Sequence, residues 1–99
     1  MHRLRIREVC PESRVFRPDG ARLRIAIERA WNDEAPIEVD FEAEVIASIS
    51  FLDEGVASLF FDYDAEVIRR RLQIVGMTDD DKRELNRLVV IRRAQRTAA

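Results

Sequence analysis

The side chains best placed to do chemistry in this sequence are charged ones. The tightest groupings are Asp53-Glu54, Asp62/Asp64/Glu66, Arg69-Arg70-Arg71 and Arg92-Arg93/Arg96. Asp53 and Glu54 are neighbours, so on a helix they point to different sides and make poor partners for general acid–base work. Capping and interaction with the helix dipole suit them better. Asp62, Asp64 and Glu66 alternate like the opening of a calcium loop, but the glycine and the distal glutamate of such a loop are missing. His2 has no Ser or Cys near it in sequence, and the three glycines are isolated rather than gathered into a phosphate-binding loop. The arginine clusters lack interleaved aromatics. They offer nucleic acid an electrostatic footprint only, on a chain of formal net charge −2. Pairing of 69–71 with the acidic middle of the chain, and stabilisation of a helix C-terminus by 92–96, are the simpler expectations.

The charge is strongly segregated. Residues 33–66 hold 11 acids and no Lys or Arg, while the rest of the chain holds all 17 bases and 8 acids. The acidic stretch is therefore either a solvated surface neutralised by arginines or a docking face for a basic partner. At 99 residues, 46% apolar and 36% charged, the chain suits a single folded domain over 1–99 with a modest core. No apolar run approaches the roughly 20 residues of a membrane span. The alternating start His2-Arg3-Leu4-Arg5-Ile6-Arg7 is unlike a signal peptide. The lone Cys10 allows no internal disulfide, and nothing suggests zinc. A cytoplasmic location and no cofactor are expected.

Positioning these groups requires elements, and hydrophobic spacing predicts them. Alternation predicts a strand over 4–9, broken by Cys10-Pro11, with a short extended piece at 14–16. Leu23, Ala26, Ile27, Ala30 and Trp31 form one helical stripe, predicting a helix over 20–32 with Asp19 as N-cap. Ile37, Val39 and Phe41 alternate with Glu38 and Asp40, predicting a strand. A loop over 42–47 then leads to a helix over 51–61, with Ser50 as N-cap and Asp53 completing a capping box. Leu52, Val56, Leu59 and Phe60 are its apolar stripe. A turn at 62–64 precedes a strand over 67–75, interrupted by three arginines and ended by Gly76. Thr78 then caps a last helix with acids at its start and arginines at its end; Leu85, Leu88 and Val89 face inward. The β-α-β-α-β-α order points to an α/β fold, alternating strands and helices with a small mixed sheet flanked by helices.

Ile37-Glu38-Val39-Asp40-Phe41, six residues, then Ser48-Ile49-Ser50-Phe51-Leu52-Asp53-Glu54 resembles the signature of a STAS-like family of bacterial domains. STAS is the fold shared by sulphate transporters and anti-sigma-factor antagonists. The resemblance is specific over 40–59 and extends in arrangement over 14–93. It implies a STAS-like fold and a non-enzymatic regulatory protein-interaction domain, resembling one component of a partner switch. The implied partner is a histidine-kinase-like ATPase or another regulator. In anti-sigma-factor antagonists a serine at the start of the equivalent helix is phosphorylated. By position the candidate here is Ser50 and then Ser48, and a helix N-terminus tolerates a phosphate. The acidic first turn, Asp53 and Glu54, weighs toward Ser50 as a structural cap. The expected docking surface is the loop 42–50 with the exposed face of the following helix, with Glu42, Glu44, Ser50, Asp53 and Glu54 as partner-binding residues. A small nucleic-acid-binding module using the arginines is the competing class, and a structural homodimer the third.

Overall fold

A computed structural model describes residues 2–31 and 35–99. The chain opens with strand β1 (His2–Arg5) and a helical turn α1 (Ile6–Val9), then helix α2 (Arg17–Trp31) and strand β2 (Ile37–Asp40). Helix α3 (Ile49–Leu52) runs into a five-residue π-helical turn (Asp53–Ala57) and on into α4 (Leu59–Asp62). Helix α5 (Ala65–Arg71), strand β3 (Leu72–Val75) and helix α6 (Asp79–Ala98) complete the fold.

The sheet has the order β1-β2-β3 and all its described strands run parallel, where a mixed sheet was expected. Each strand is returned to the same end by a helical crossover, which is what parallel pairing requires. Stepping in one direction with right-handed crossovers also puts the crossover helices on one face. Alternation along β2 records this: Ile37 and Val39 are fully buried, whereas Glu38 and Asp40 are half-buried on the other face. There Arg3, the register partner of Glu38, meets it at 2.8 Å and Asp40 at 3.7 Å. Ion pairs thus cover a face that parallel sheets commonly bury under a second helical layer.

Several boundaries differ from expectation, each for a local reason. The first strand ends at Arg5 because Ile6 turns into the core and its carbonyl accepts the amide of Cys10 at 2.8 Å. Residues 14–16 are bends rather than an extended strand. The long helix starts at Arg17, three residues early; its expected end at Asn32 lies outside the described residues. Pro18 costs nothing in the first turn, where its missing N–H has no helical partner. Asp19 is therefore inside the helix, and its carboxylate reaches back to the amides of Phe16 (3.0 Å) and Val15 (3.3 Å).

The expected strand over 67–75 divides. Asp64 accepts from the amide of Glu66 at 2.8 Å and caps α5, whose last turn carries Arg69, Arg70 and Arg71. Only Leu72–Val75 is strand. Thr78 caps α6 as expected, accepting from the amide of Asp81 at 3.3 Å, and residues 89–91 are helical. The core lies between the sheet and the helices, around Phe41, Phe51, Leu23, Ile27, Val56 and Leu59, all fully buried. Helix α2 touches the α3–π segment almost backbone to backbone. A Cβ at Gly20 would stand 2.8 Å from the carbonyl oxygen of Phe51, so glycine is what permits the approach.

Candidate functional site

The segment 41–48 connects β2 to α3 at the C-terminal end of the sheet, the end where ligands of open α/β folds generally bind. Three non-glycine residues in it, Glu42, Ala43 and Ala47, have φ of 56°, 58° and 49°. Left-handed backbone at such residues costs about 1 kcal/mol or more each, so other contacts must hold the loop.

Those contacts come from four directions. Within the loop's own strand, Asp40 accepts from the amide of Glu42 at 2.8 Å. From the residue just after β3, the carbonyl of Gly76 accepts from the amide of Ala43 at 2.7 Å. Gly76 has a φ of 69°, and a Cβ there would stand 2.6 Å from Asp40 Oδ1. From the segment before α2, Arg14 grips Glu44 through two nitrogens, Nη2 donating at 2.8 Å, and also donates to the carbonyl of Cys10 at 2.9 Å. From α6, Asp81 accepts from the amides of Ile46 (2.8 Å) and Ala47 (3.0 Å). Asp81 is only 3% exposed, unlike Asp79 and Asp80 beside it. In sequence the three aspartates look alike; the buried one anchors the loop.

The helix that follows is capped by Ser48 rather than Ser50. Ser48 Oγ accepts from the amide of Phe51 at 3.2 Å and donates to the carbonyl of Val15. Ser50 sits one turn position inside α3, half-exposed, and its hydroxyl makes no hydrogen bond among the described residues. Both serines precede the apolar stripe, but only Ser48 has extended backbone, with φ −130° and ψ 109°. Substituting Ser48 by Ala is accordingly expected to cost about 1 kcal/mol in urea denaturation and Ser50→Ala only a few tenths. Equal effects would place the cap elsewhere.

Asp53 belongs to no capping box. It opens the π-helical turn, where the amide of Ser58 bonds back to its carbonyl at 2.8 Å. Its carboxylate, 8% exposed, receives Arg92 of α6 through Nε (3.0 Å) and Nη2 (2.8 Å) and Arg17 of α2 at 2.9 Å. The Arg92 hydrogen bond, and then that of Arg17, hold its pKa below the usual carboxylate value against the opposing effect of burial. Glu54 meets Arg24 at 3.2 Å and Arg17 at 3.9 Å. Arg24 also pairs with Glu28 at 3.0 Å, and Glu28 accepts from the hydroxyl of Tyr63, which stacks on Trp31. One charged network therefore ties α2, the π turn and α6 together.

Of the residues expected to bind a partner, Glu42 accepts from the amide of Arg7 at 3.3 Å, while Glu44, Asp53 and Glu54 are paired with arginines of their own chain. Ser50 stands apart from these pairings. Arg14 and Arg17 thus bind carboxylates within the domain. In the first basic cluster, Arg69 pairs with Glu66 at 3.1 Å, and Arg70 and Arg71 donate to the carbonyls of Glu66 and Trp31. In the second, Arg92 crosses to Asp53 rather than serving its own helix end, and Arg96 donates to the carbonyl of Phe61. Hydrophobicity was the signal that sequence reasoning passed over. Val15, Phe16, Val45 and Ile49 are 51%, 66%, 70% and 52% exposed. Ser48, which precedes Ile49, donates to the backbone carbonyl of Val15.

Among the described residues, no group of three or more His, Cys, Asp or Glu could hold a metal ion, and no helix is long and apolar enough to cross a membrane. A small parallel sheet flanked by helices defines an α/β domain. Residues 19–82 match the family model of the STAS-like domain of unknown function (DUF4325), and the chain belongs to that family. The matched region spans the loop, both serines, Asp53 and Asp81, and leaves out β1. No curated protein and no solved structure matches the chain.

Proposed function

We propose that this chain is a non-enzymatic regulatory interaction domain that docks a protein partner on the loop 42–48 and the start of α3. The carrying observation is that the loop and the segment tied to it both expose large apolar side chains, Val45 and Ile49 on one and Val15 and Phe16 on the other, with the Ser48 hydroxyl donating to the carbonyl of Val15. Large apolar groups left exposed on segments that the fold ties together favour recognition over solvation. Glu42 and Ser50 contribute the polar rim; Glu44, Asp53 and Glu54 shape it through their arginine partners.

The family resemblance supports the finer reading, a partner-switch component acting with a histidine-kinase-like ATPase. Ser50 is the better phosphoacceptor of the two serines, because Ser48 is occupied as cap and tether. The carboxylates that follow are neutralised by Arg17, Arg24 and Arg92, which relieves their repulsion of a phosphate.

The test is pairwise titration of the purified domain against histidine-kinase-like ATPases of its own genome, using Val45→Asp and Ile49→Asp. Both sites are exposed, and Asp is favourable in the first turn of α3, so neither change disturbs folding. Reversing Glu44 or Glu54 would instead break internal ion pairs. Binding to one ATPase that both variants weaken by about tenfold or more supports the proposal. Binding to none, or binding indifferent to the variants, overturns it. Intact mass after incubation with the binding ATPase and ATP reads the switch itself, with a single phosphate expected at Ser50.

A further inference from the structure

Helix α2 carries its arginines on two flanks. Arg17 and Arg24 face the π turn and are neutralised by Asp53, Glu54 and Glu28. On the other flank Arg22 and Arg29 are exposed, and neither makes an ion pair or a hydrogen bond to a carboxylate among the described residues. Asp19, one turn before Arg22, gives its hydrogen bonds to the amides of Val15 and Phe16 and meets Arg22 through charge alone. Glu8, beside Val9, pairs with Arg5 at 3.6 Å.

Between the two arginines lies an apolar floor. Val9, Ile25 and Ala26 line a groove with Arg22 and Arg29 as its rim. Ile25 is 42% exposed and Val9 and Ala26 are half-buried. The groove runs between α2 and the turn α1. An apolar strip flanked by exposed positive charge without ion-pair partners selects a ligand that is apolar in the middle and acidic at its edges. Arg22 and Arg29 are seven residues apart, two helical turns or about 10.5 Å along the axis. Carboxylates seven residues apart on a second helix have that same spacing, with apolar residues one turn in from each available to meet Ile25.

We propose that this groove is a second docking surface, for an acidic amphipathic helix of a partner protein lying alongside α2. The two carboxylates of that helix pair with Arg22 and Arg29, and its apolar stripe covers Ile25, Ala26 and Val9. No residue of the loop surface takes part, so this reading and the preceding one fail separately.

The probe is a synthetic helical peptide with Glu at two positions seven apart and Leu between them, titrated into the whole chain. Amide chemical shifts locate the site and fluorescence anisotropy gives the affinity. Saturable binding is expected, with shifts centred on Val9, Arg22, Ile25, Ala26 and Arg29. The double variant Arg22→Glu/Arg29→Glu should weaken it by about tenfold or more, and a peptide with Lys in place of Glu should recover binding to that variant. Ile25→Ser, at an exposed position that leaves the fold intact, should weaken it through the floor alone. Val45→Asp and Ile49→Asp should leave peptide binding unchanged. Absence of saturable binding, shifts centred elsewhere, or indifference to the charge swap would overturn the proposal. So would tighter, arginine-dependent binding to phosphatidylserine vesicles than to the peptide, or arginine-dependent self-association of the chain.

Discussion

Replacing Asp81 by Ala is expected to destabilise the protein by about 2–4 kcal/mol and to free the loop that carries the candidate docking surface. The magnitude follows from what the carboxylate does. It accepts from two amides, those of Ile46 and Ala47, from a position only 3% exposed. Its removal leaves two donors without their acceptor: the buried Ile46 amide costs about 1–3 kcal/mol, and the amide of the exposed Ala47 adds less. The loop has little in reserve, because Glu42, Ala43 and Ala47 are in left-handed backbone that only its tethers maintain. Urea denaturation measures the loss. Hydrogen exchange should show the amides of Ile46 and Ala47 losing protection before the rest of the domain. Asp81→Asn should fall between wild type and Ala, since an amide side chain has one accepting oxygen. Asp79→Ala and Asp80→Ala are the controls. If Asp81 merely complemented the helix dipole, all three alanine variants would cost similar amounts below about 1 kcal/mol, and the tether would be refuted.

The second large effect is at Asp53. Asp53→Ala should cost about 2–3 kcal/mol, because it strands Arg92, whose side chain is 26% exposed. Arg17 adds less, since at 51% exposure it returns to water. The companion double variant Asp53→Leu/Arg92→Leu should regain much of the loss, as replacing both members of a buried pair removes the stranded charge. The same site has a pH signature. Asp53 has a folded pKa below its unfolded one, so its contribution is present above the unfolded value of about 3.9 and fades as pH falls through the folded value. The stability gap between wild type and Asp53→Ala should therefore narrow under acid. A gap independent of pH between neutrality and strong acid would show that the pairing contributes nothing.

These sites also divide what could be read locally from what could not. The apolar stripe of α2, the alternation of β2 and the Thr78 cap of α6 are set by neighbours within one or two turns, and all three are present, with Ala26 alone of the stripe lying outside the core cluster. The exchange of Ser50 for Ser48 as cap was not legible. Both precede the same apolar run, and the choice rests on Val15, 33 residues away, accepting from Ser48. The strand expected over 67–75 was misread because Val67, Ile68, Leu72 and Ile74 serve either period. The capping aspartate at 64 and the arginine run were the available signals that a short helix comes first.

Sequence by itself determined the α/β class, the strand–loop–helix core, the STAS-like family and the need for a heavily acidic middle segment to find arginines. Local spacing carries that much, because side-chain period and capping act over a few residues. Tertiary structure alone decided which arginine meets which acid. It also decided that the described strands are all parallel, that Asp81 is a tether while its two neighbours are solvated, and that Arg22 and Arg29 make no ion pair among the described residues. Such outcomes depend on burial and on contacts between residues more than 30 positions apart, such as Asp81 with Ile46 and Asp53 with Arg92. Burial is what makes a hydrogen bond costly to lose, and it is a property of packing rather than of sequence spacing.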